Sequence, residues 1–207
     1  MTIEMLPWII VRATGFVAFG LISCAMIAGL LVRTRGSIGS IKAGGMVELH
    51  RHLSLLGLMA IGAHALMLLV DTTIDISPLA LVVPGLVPYR PIWTGLGVVA
   101  AELALLIHLS FKFRTRIGGR NWRRLHWLTY AVFVVGAIHG ITSGTDSGTT
   151  WAIALYGAAV AAVAGLTGWR AASFRRTSPK RDASRIPRHQ TEPMRGPDQT
   201  QPERVGA

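Results

Sequence analysis

Long apolar runs separated by short polar connections set the pattern of this chain. The first, Leu6 to Val32, is interrupted by a single charge, Arg12, and four more follow at Met46–Val70, Ile92–Phe113, Leu125–Thr142 and Thr150–Arg170. Crossing roughly 30 Å of hydrocarbon at 1.5 Å per residue takes about 20 residues, and these runs meet that length. Backbone polar groups must be satisfied internally in lipid, so such runs become helices or the strands of a closed barrel. Their Leu and Ala richness lacks the polar–apolar alternation of barrel strands. The expected fold class is therefore all-α, an integral membrane bundle of five transmembrane helices. The apolar part of a cleaved signal peptide spans only roughly 7 to 15 residues behind a basic start, so the first run is expected to stay as a spanning helix. No repeat of solenoid period is present.

Two stretches break the pattern. Between Asp71 and Pro91 the chain is apolar but carries Pro78, Pro84, Pro88 and Pro91, which exclude a continuous helix; a lid lying along the membrane interface is expected. From Ala172 the sequence turns polar and rich in Arg, Ser, Pro and Gln. Residues 172–207 are expected to form a disordered basic tail that touches anionic lipid, leaving 1–171 as the membrane domain.

Composition agrees with lipid as the solvent. Of 207 residues, 51% are apolar and 15% charged, too little polar surface for a water-soluble globule of this size. The net charge of +11 would suit nucleic acid if it formed a stripe on a soluble domain. Instead the basic residues lie between apolar runs and in the tail, which points to a membrane surface and to no nucleic-acid partner. Four fall between Arg33 and Arg51, six between Lys112 and Arg124 and nine from Arg170 onward, 19 of the 21 in all. Arg12 and Arg90 are the two on the other side, beside Glu4, Asp71, Asp75 and Asp146. Lys and Arg favour the cytoplasmic side, so the N-terminus is expected outside and the C-terminus in the cytoplasm of a cell-membrane protein. Tryptophans, which favour membrane–water interfaces, agree: Trp8, Trp93 and Trp151 fall at outer ends, Trp122, Trp127 and Trp169 at or near inner ends. The single cysteine, Cys24, excludes an intrachain disulfide and is expected to pack as a small apolar residue.

The histidines call for chemistry. Six of seven, His50, His52, His64, His108, His126 and His139, lie in or at the ends of spans, where ionisable groups are costly and mark function. The second and fourth spans run in the same direction, so equal distances from their inner ends mean equal depths. His50 and His126 lie near those ends; His64 and His139 follow 14 and 13 residues later, roughly 20 Å outward at 1.5 Å per residue. Two pairs in two layers result, each able to supply both axial ligands to a haem held between helices. At 3.6 residues per turn the 14-residue step is about 3.9 turns and keeps one face, whereas the 12-residue step from His52 is about 3.3, so His50 is the better ligand. The 13-residue step is about 3.6 turns, and a kink or π-bulge at Gly136 or Gly140 is expected to realign His126 with His139.

The segments LHRHLSLLGLMAIGAH and NWRRLHWLTYAVFVVGAIHG, with their doubled histidine spacing on five spans, resemble the ferric reductase-like transmembrane domain shared with the membrane part of NADPH oxidases. The resemblance runs from about Trp8 to Trp169, and WIIVRATG and HGITSGTD are similar to short bacterial, actinobacterial members. It implies that His50 with His126 and His64 with His139 each ligate a b-type haem. The chain departs from the reductase and oxidase enzymes in carrying no attached flavin and nicotinamide domain.

Other residues are candidates for supporting roles. Arg12 and Arg90 are expected to clamp the carboxylates of an outer haem, since an Arg fork binds a carboxylate in bidentate fashion; snorkelling to lipid phosphate is the plain alternative. Arg51, Arg123 and Arg124 can serve an inner haem or simply anchor topology. His108 is a candidate for quinone or proton handling, Glu102 for a hydrogen bond to a neighbouring helix, and Asp146 for a proton relay or a turn.

The function expected is a di-haem b electron-transfer subunit, an oxidoreductase component rather than a self-sufficient enzyme. No GxGxxG fingerprint follows a strand, so the donor is expected to be a separate flavoprotein or membrane quinol. The acceptor outside would be ferric iron, oxygen or a redox protein. Two alternatives compete: a transporter or scaffold whose histidines bind a metal or move protons, and a self-sufficient ferric or oxygen reductase. A small ion needs ligands converging on one point, which two layers do not offer.

Overall fold

A computed structural model describes residues 6–32, 43–72 and 74–177. They form α1 (Leu6–Leu31), α2 (Ala43–Val70), a short 3₁₀ turn at Pro78–Leu81, α3 (Pro91–Ser110), α4 (Arg114–Ile117), α5 (Gly119–His126), α6 (Thr129–Ser143) and α7 (Thr150–Thr177), with no strand among the described residues. Among the described residues, five spans are long and apolar enough to cross a membrane: α1, α2, α3, α5 continued by α6, and α7. The chain is all-α and a multi-pass integral membrane protein.

Local sequence sets the ends of these elements. Pro91 opens α3, where its missing N–H removes no helical bond and its fixed φ suits the first turn. Gly118, at φ 84°, separates α4 from α5 in a conformation that L side chains rarely adopt. The helix α7 runs past Ala172, where a polar tail was expected, because no Gly or Pro interrupts residues 169–178 and two alanines favour the helix. Residues 178–207, with most of that expected tail, lie outside the described residues, as do Arg33, Arg35 and Lys42.

The fourth span contains a break. Trp127, Leu128 and Tyr130 donate their backbone N–H groups three residues back, to Arg124, Leu125 and Trp127, at 3.0–3.1 Å. This is tight 3₁₀ winding between α5 and α6, whereas α6 passes through Gly136 and Gly140 as uninterrupted helix. The expected kink at those glycines is therefore corrected to a tightened turn just after His126. A 3₁₀ residue turns about 20° further than an α residue, in the direction that brings His126 and His139 toward one face. Gly140 has another use: a Cβ there would run into the Tyr156 ring.

α1 is the central helix, packed along α2 on one side and against α6 and α7 on the other, while α3 packs on α6. The core joins Phe19, Met26 and Leu30 of α1 to Phe133 and Ala137 of α6 and Ala152, Tyr156, Ala159 and Val163 of α7. Small residues on α7 let the backbones approach, as membrane packing requires, and Phe19 fills the space between Phe133 and Tyr156, with ring centres at 5.8 and 4.7 Å. α2 and α6 are not closely packed on each other. The segment between α2 and α3 forms a small cap around buried Ile76, Ala80 and Val87, with Leu79, Val82 and Leu86 exposed as an apolar outer surface.

Candidate functional site

Across the gap between α2 and the fourth span, formed by α5 and α6, the histidines meet in pairs. The ring centres of His50 and His126 are 6.1 Å apart with planes at 77°, and those of His64 and His139 are 6.4 Å apart at 76°. With metal–nitrogen bonds of about 2 Å and about 1.1 Å from Nε2 to ring centre, two imidazoles sharing one iron have centres roughly 6.2 Å apart. Both pairs fit that spacing.

Three of the four rings sit in the same kind of notch. His64 Nδ1 lies 2.8 Å from the Val11 carbonyl, His50 Nδ1 2.8 Å from that of Ala25, and His139 Nδ1 2.9 Å from that of Trp93. One helical turn beyond each carbonyl is a glycine facing the same ring. A Cβ at Gly15 would come within 3.2 Å of His64, at Gly29 within 3.0 Å of His50, and at Gly97 within 2.6 Å of His139. The glycine makes room and the carbonyl fixes the ring. A carbonyl can only accept, so Nδ1 carries the proton and Nε2 keeps its lone pair, the form a metal requires.

His126 is held differently. Its ring stacks on Trp122, one turn earlier, with centres 5.0 Å apart and planes at 24°. Its Nδ1 is buried without a hydrogen-bond partner among the described residues, and so is Trp122 Nε1.

The notch glycines and carbonyls were not singled out from sequence. A signal was available: Gly15 and Gly29 are separated by 14 residues on α1, as His50 and His64 are on α2, and antiparallel neighbours with equal steps keep equal partners. His52 faces away, 72% exposed, with Nδ1 2.8 Å from the carbonyl of Glu48. His108 is half-buried near the end of α3, and Glu102 lies on the exposed face of that helix.

The arginines divide by end. Arg12 forms an ion pair with Asp146 and lies 4.1 Å over the Trp8 ring, so its acidic partner comes from the protein itself. Arg90, at φ 44°, donates to the Thr142 carbonyl and stands 5.3 Å from the Tyr89 ring centre. At the opposite, Arg-rich end, Arg51 pairs loosely with Glu48 at 3.7 Å, and Arg123 and Arg124 are exposed on α5.

The family model described as ferric reductase like transmembrane component matches residues 14–137, more than half of the chain. No curated protein and no solved structure matches it. The matched stretch contains three notch glycines and three of the four paired histidines, with His139 two residues beyond its end. Five membrane spans and this match together make the chain a member of the ferric reductase-like transmembrane component family.

Proposed function

We propose that the chain is a di-haem b electron-transfer subunit that carries electrons from a cytoplasmic or membrane donor to an acceptor outside. The observation that supports it most is the meeting of two imidazole pairs at a spacing suited to one iron each. When bound, haem b supplies a one-electron iron couple in each layer. His50 and His126 would hold the layer at the Arg-rich end, His64 and His139 the other.

The protein's own groups do the rest. Carbonyls of Val11, Ala25 and Trp93 set the tautomer of three imidazoles and hold them in place. Gly15, Gly29 and Gly97 keep the rings from being pushed out of register. Arg51, Arg123 and Arg124 offer cations to porphyrin carboxylates at one end and Arg90 at the other; Arg12, tied to Asp146, instead joins the start of α1 to the loop before α7. Arg distribution supports an Arg-rich end in the cytoplasm, with the N-terminus outside. The donor would be a flavoprotein or quinol; the acceptor, ferric iron, oxygen or a redox protein.

A porphyrin brings four nitrogens and asks the protein for two, which each layer has. A bare ion asks for more, and no group of three His, Cys, Asp or Glu able to hold one occurs among the described residues. A reduced-minus-oxidised visible spectrum of the purified protein separates the two functions. Sharp haem b bands are expected; a haem-supplied protein without them would be a transporter or scaffold.

A further inference from the structure

Arg90 is the one non-glycine residue with a positive φ among the described residues, at φ 44° and ψ 61°. The sequence makes this conformation costlier still, because Pro91 follows and a proline pushes the residue before it toward extended backbone. Strain of this kind persists only where the surroundings over-determine it. Here they do so from two sides. On its own chain the Arg90 carbonyl accepts from the N–H groups of Trp93 and Thr94 at 2.9 and 3.0 Å and so seats the first turn of α3, while the Thr94 hydroxyl donates to the Tyr89 carbonyl at 3.0 Å. Across the bundle its guanidinium donates to the carbonyl of Thr142, in the last turn of α6, where carbonyls have no intrahelical partner and a cation is favourable. The Tyr89 hydroxyl is 3.5 Å from the next carbonyl, that of Ser143.

These contacts close a circuit. Three residues after Arg90 stands Trp93, whose carbonyl accepts from His139 Nδ1–H at 2.9 Å, and three residues after His139 stands Thr142. The carbonyl of this notch therefore lies in the terminal turn of one helix and its ring near the end of another. The other two notches have a longer support, since Val11 and Ala25 belong to α1, which packs along α2. On the di-haem reading, we propose that Arg90 is a positioning residue: its tie between the first turn of α3 and the last turn of α6 holds the Trp93 carbonyl against His139 and so fixes the angle at which that ring faces His64. This role is separate from the charge that Arg90 offers to a porphyrin carboxylate, because it acts through the backbone of Trp93 and needs the guanidinium at Thr142.

The test is low-temperature electron paramagnetic resonance of the oxidised, purified full chain in wild type, Arg90→Gly and Arg90→Lys, with haem b counted in each. Two crossed imidazoles split the d orbitals of a low-spin ferric iron in opposing directions, so the anisotropy of the signal reads the angle between their planes, here 76° for His64 and His139. His64→Ala identifies the signal of that layer by its loss. Glycine takes a positive φ without strain but has no side chain to reach Thr142, and lysine keeps the cation without the guanidinium fork. Expected are a shift of the His64–His139 signal in Arg90→Gly, a smaller shift in the same direction in Arg90→Lys, and an unchanged His50–His126 signal in both. Should Arg90→Gly lose the haem of the His64–His139 layer, Arg90→Lys decides: a shifted signal or the same loss supports the tie, because the charge is still present. An unchanged signal in Arg90→Gly, a wild-type signal in Arg90→Lys, or equal shifts in both layers overturns the inference and leaves the di-haem function standing. A wild-type protein that binds no haem b overturns both.

Discussion

A methyl group added at residue 97 would sit 2.6 Å from the His139 ring, closer than real Cβ atoms approach anything. Elsewhere in these helices the same change meets open space, as at Gly157. Alanine is favoured over glycine by about 1 kcal/mol inside a helix, so the two substitutions should have opposite outcomes. Gly157→Ala is expected to leave haem content unchanged and to raise the thermal unfolding midpoint slightly. Gly97→Ala should displace the imidazole from the Trp93 carbonyl and lower haem content by up to one per chain, read from the absorbance of the haem-supplied protein. The histidines could be found from sequence because ionisable groups stand out in apolar spans. The glycines are harder to read, because glycine is common in membrane helices and only the 14-residue step from Gly15 to Gly29, equal to that from His50 to His64, marks two of them.

Between elements, the ion pair of Arg12 and Asp146 ties the start of α1 to the connection between α6 and α7. Both side chains are less than one-third exposed, so removing one charge leaves the other poorly solvated. Asp146→Asn should cost about 1–3 kcal/mol, between the values for exposed and buried pairs. Thermal denaturation followed by circular dichroism would show a lower midpoint, and the double change Arg12→Gln with Asp146→Asn should recover part of the loss. Span positions were readable because hydrocarbon thickness fixes their length, although the fourth begins earlier, at Gly119, and α7 runs on to Thr177. The break at Trp127 and Leu128 was not, since neither residue is a helix breaker. The phase mismatch of His126 and His139 did show that some irregularity was needed, and the glycines at 136 and 140 were the wrong place to look for it.

At the scale of the molecule, α1 acts as a spine that holds α2 on one side and α6 with α7 on the other, leaving α2 to face His126 of α5 and His139 of α6 through their imidazoles. The proposed orientation puts the Arg-rich end in the cytoplasm. In a Cys24→Ser background, a membrane-impermeant maleimide applied to right-side-out vesicles should label Gly148→Cys and spare Arg120→Cys; the reverse would turn the bundle over. The central claim is that each imidazole pair holds its own porphyrin. It is tested most directly by counting haem b per chain in wild type and in His64→Ala: two and one are predicted, and equal counts in the two proteins would contradict it.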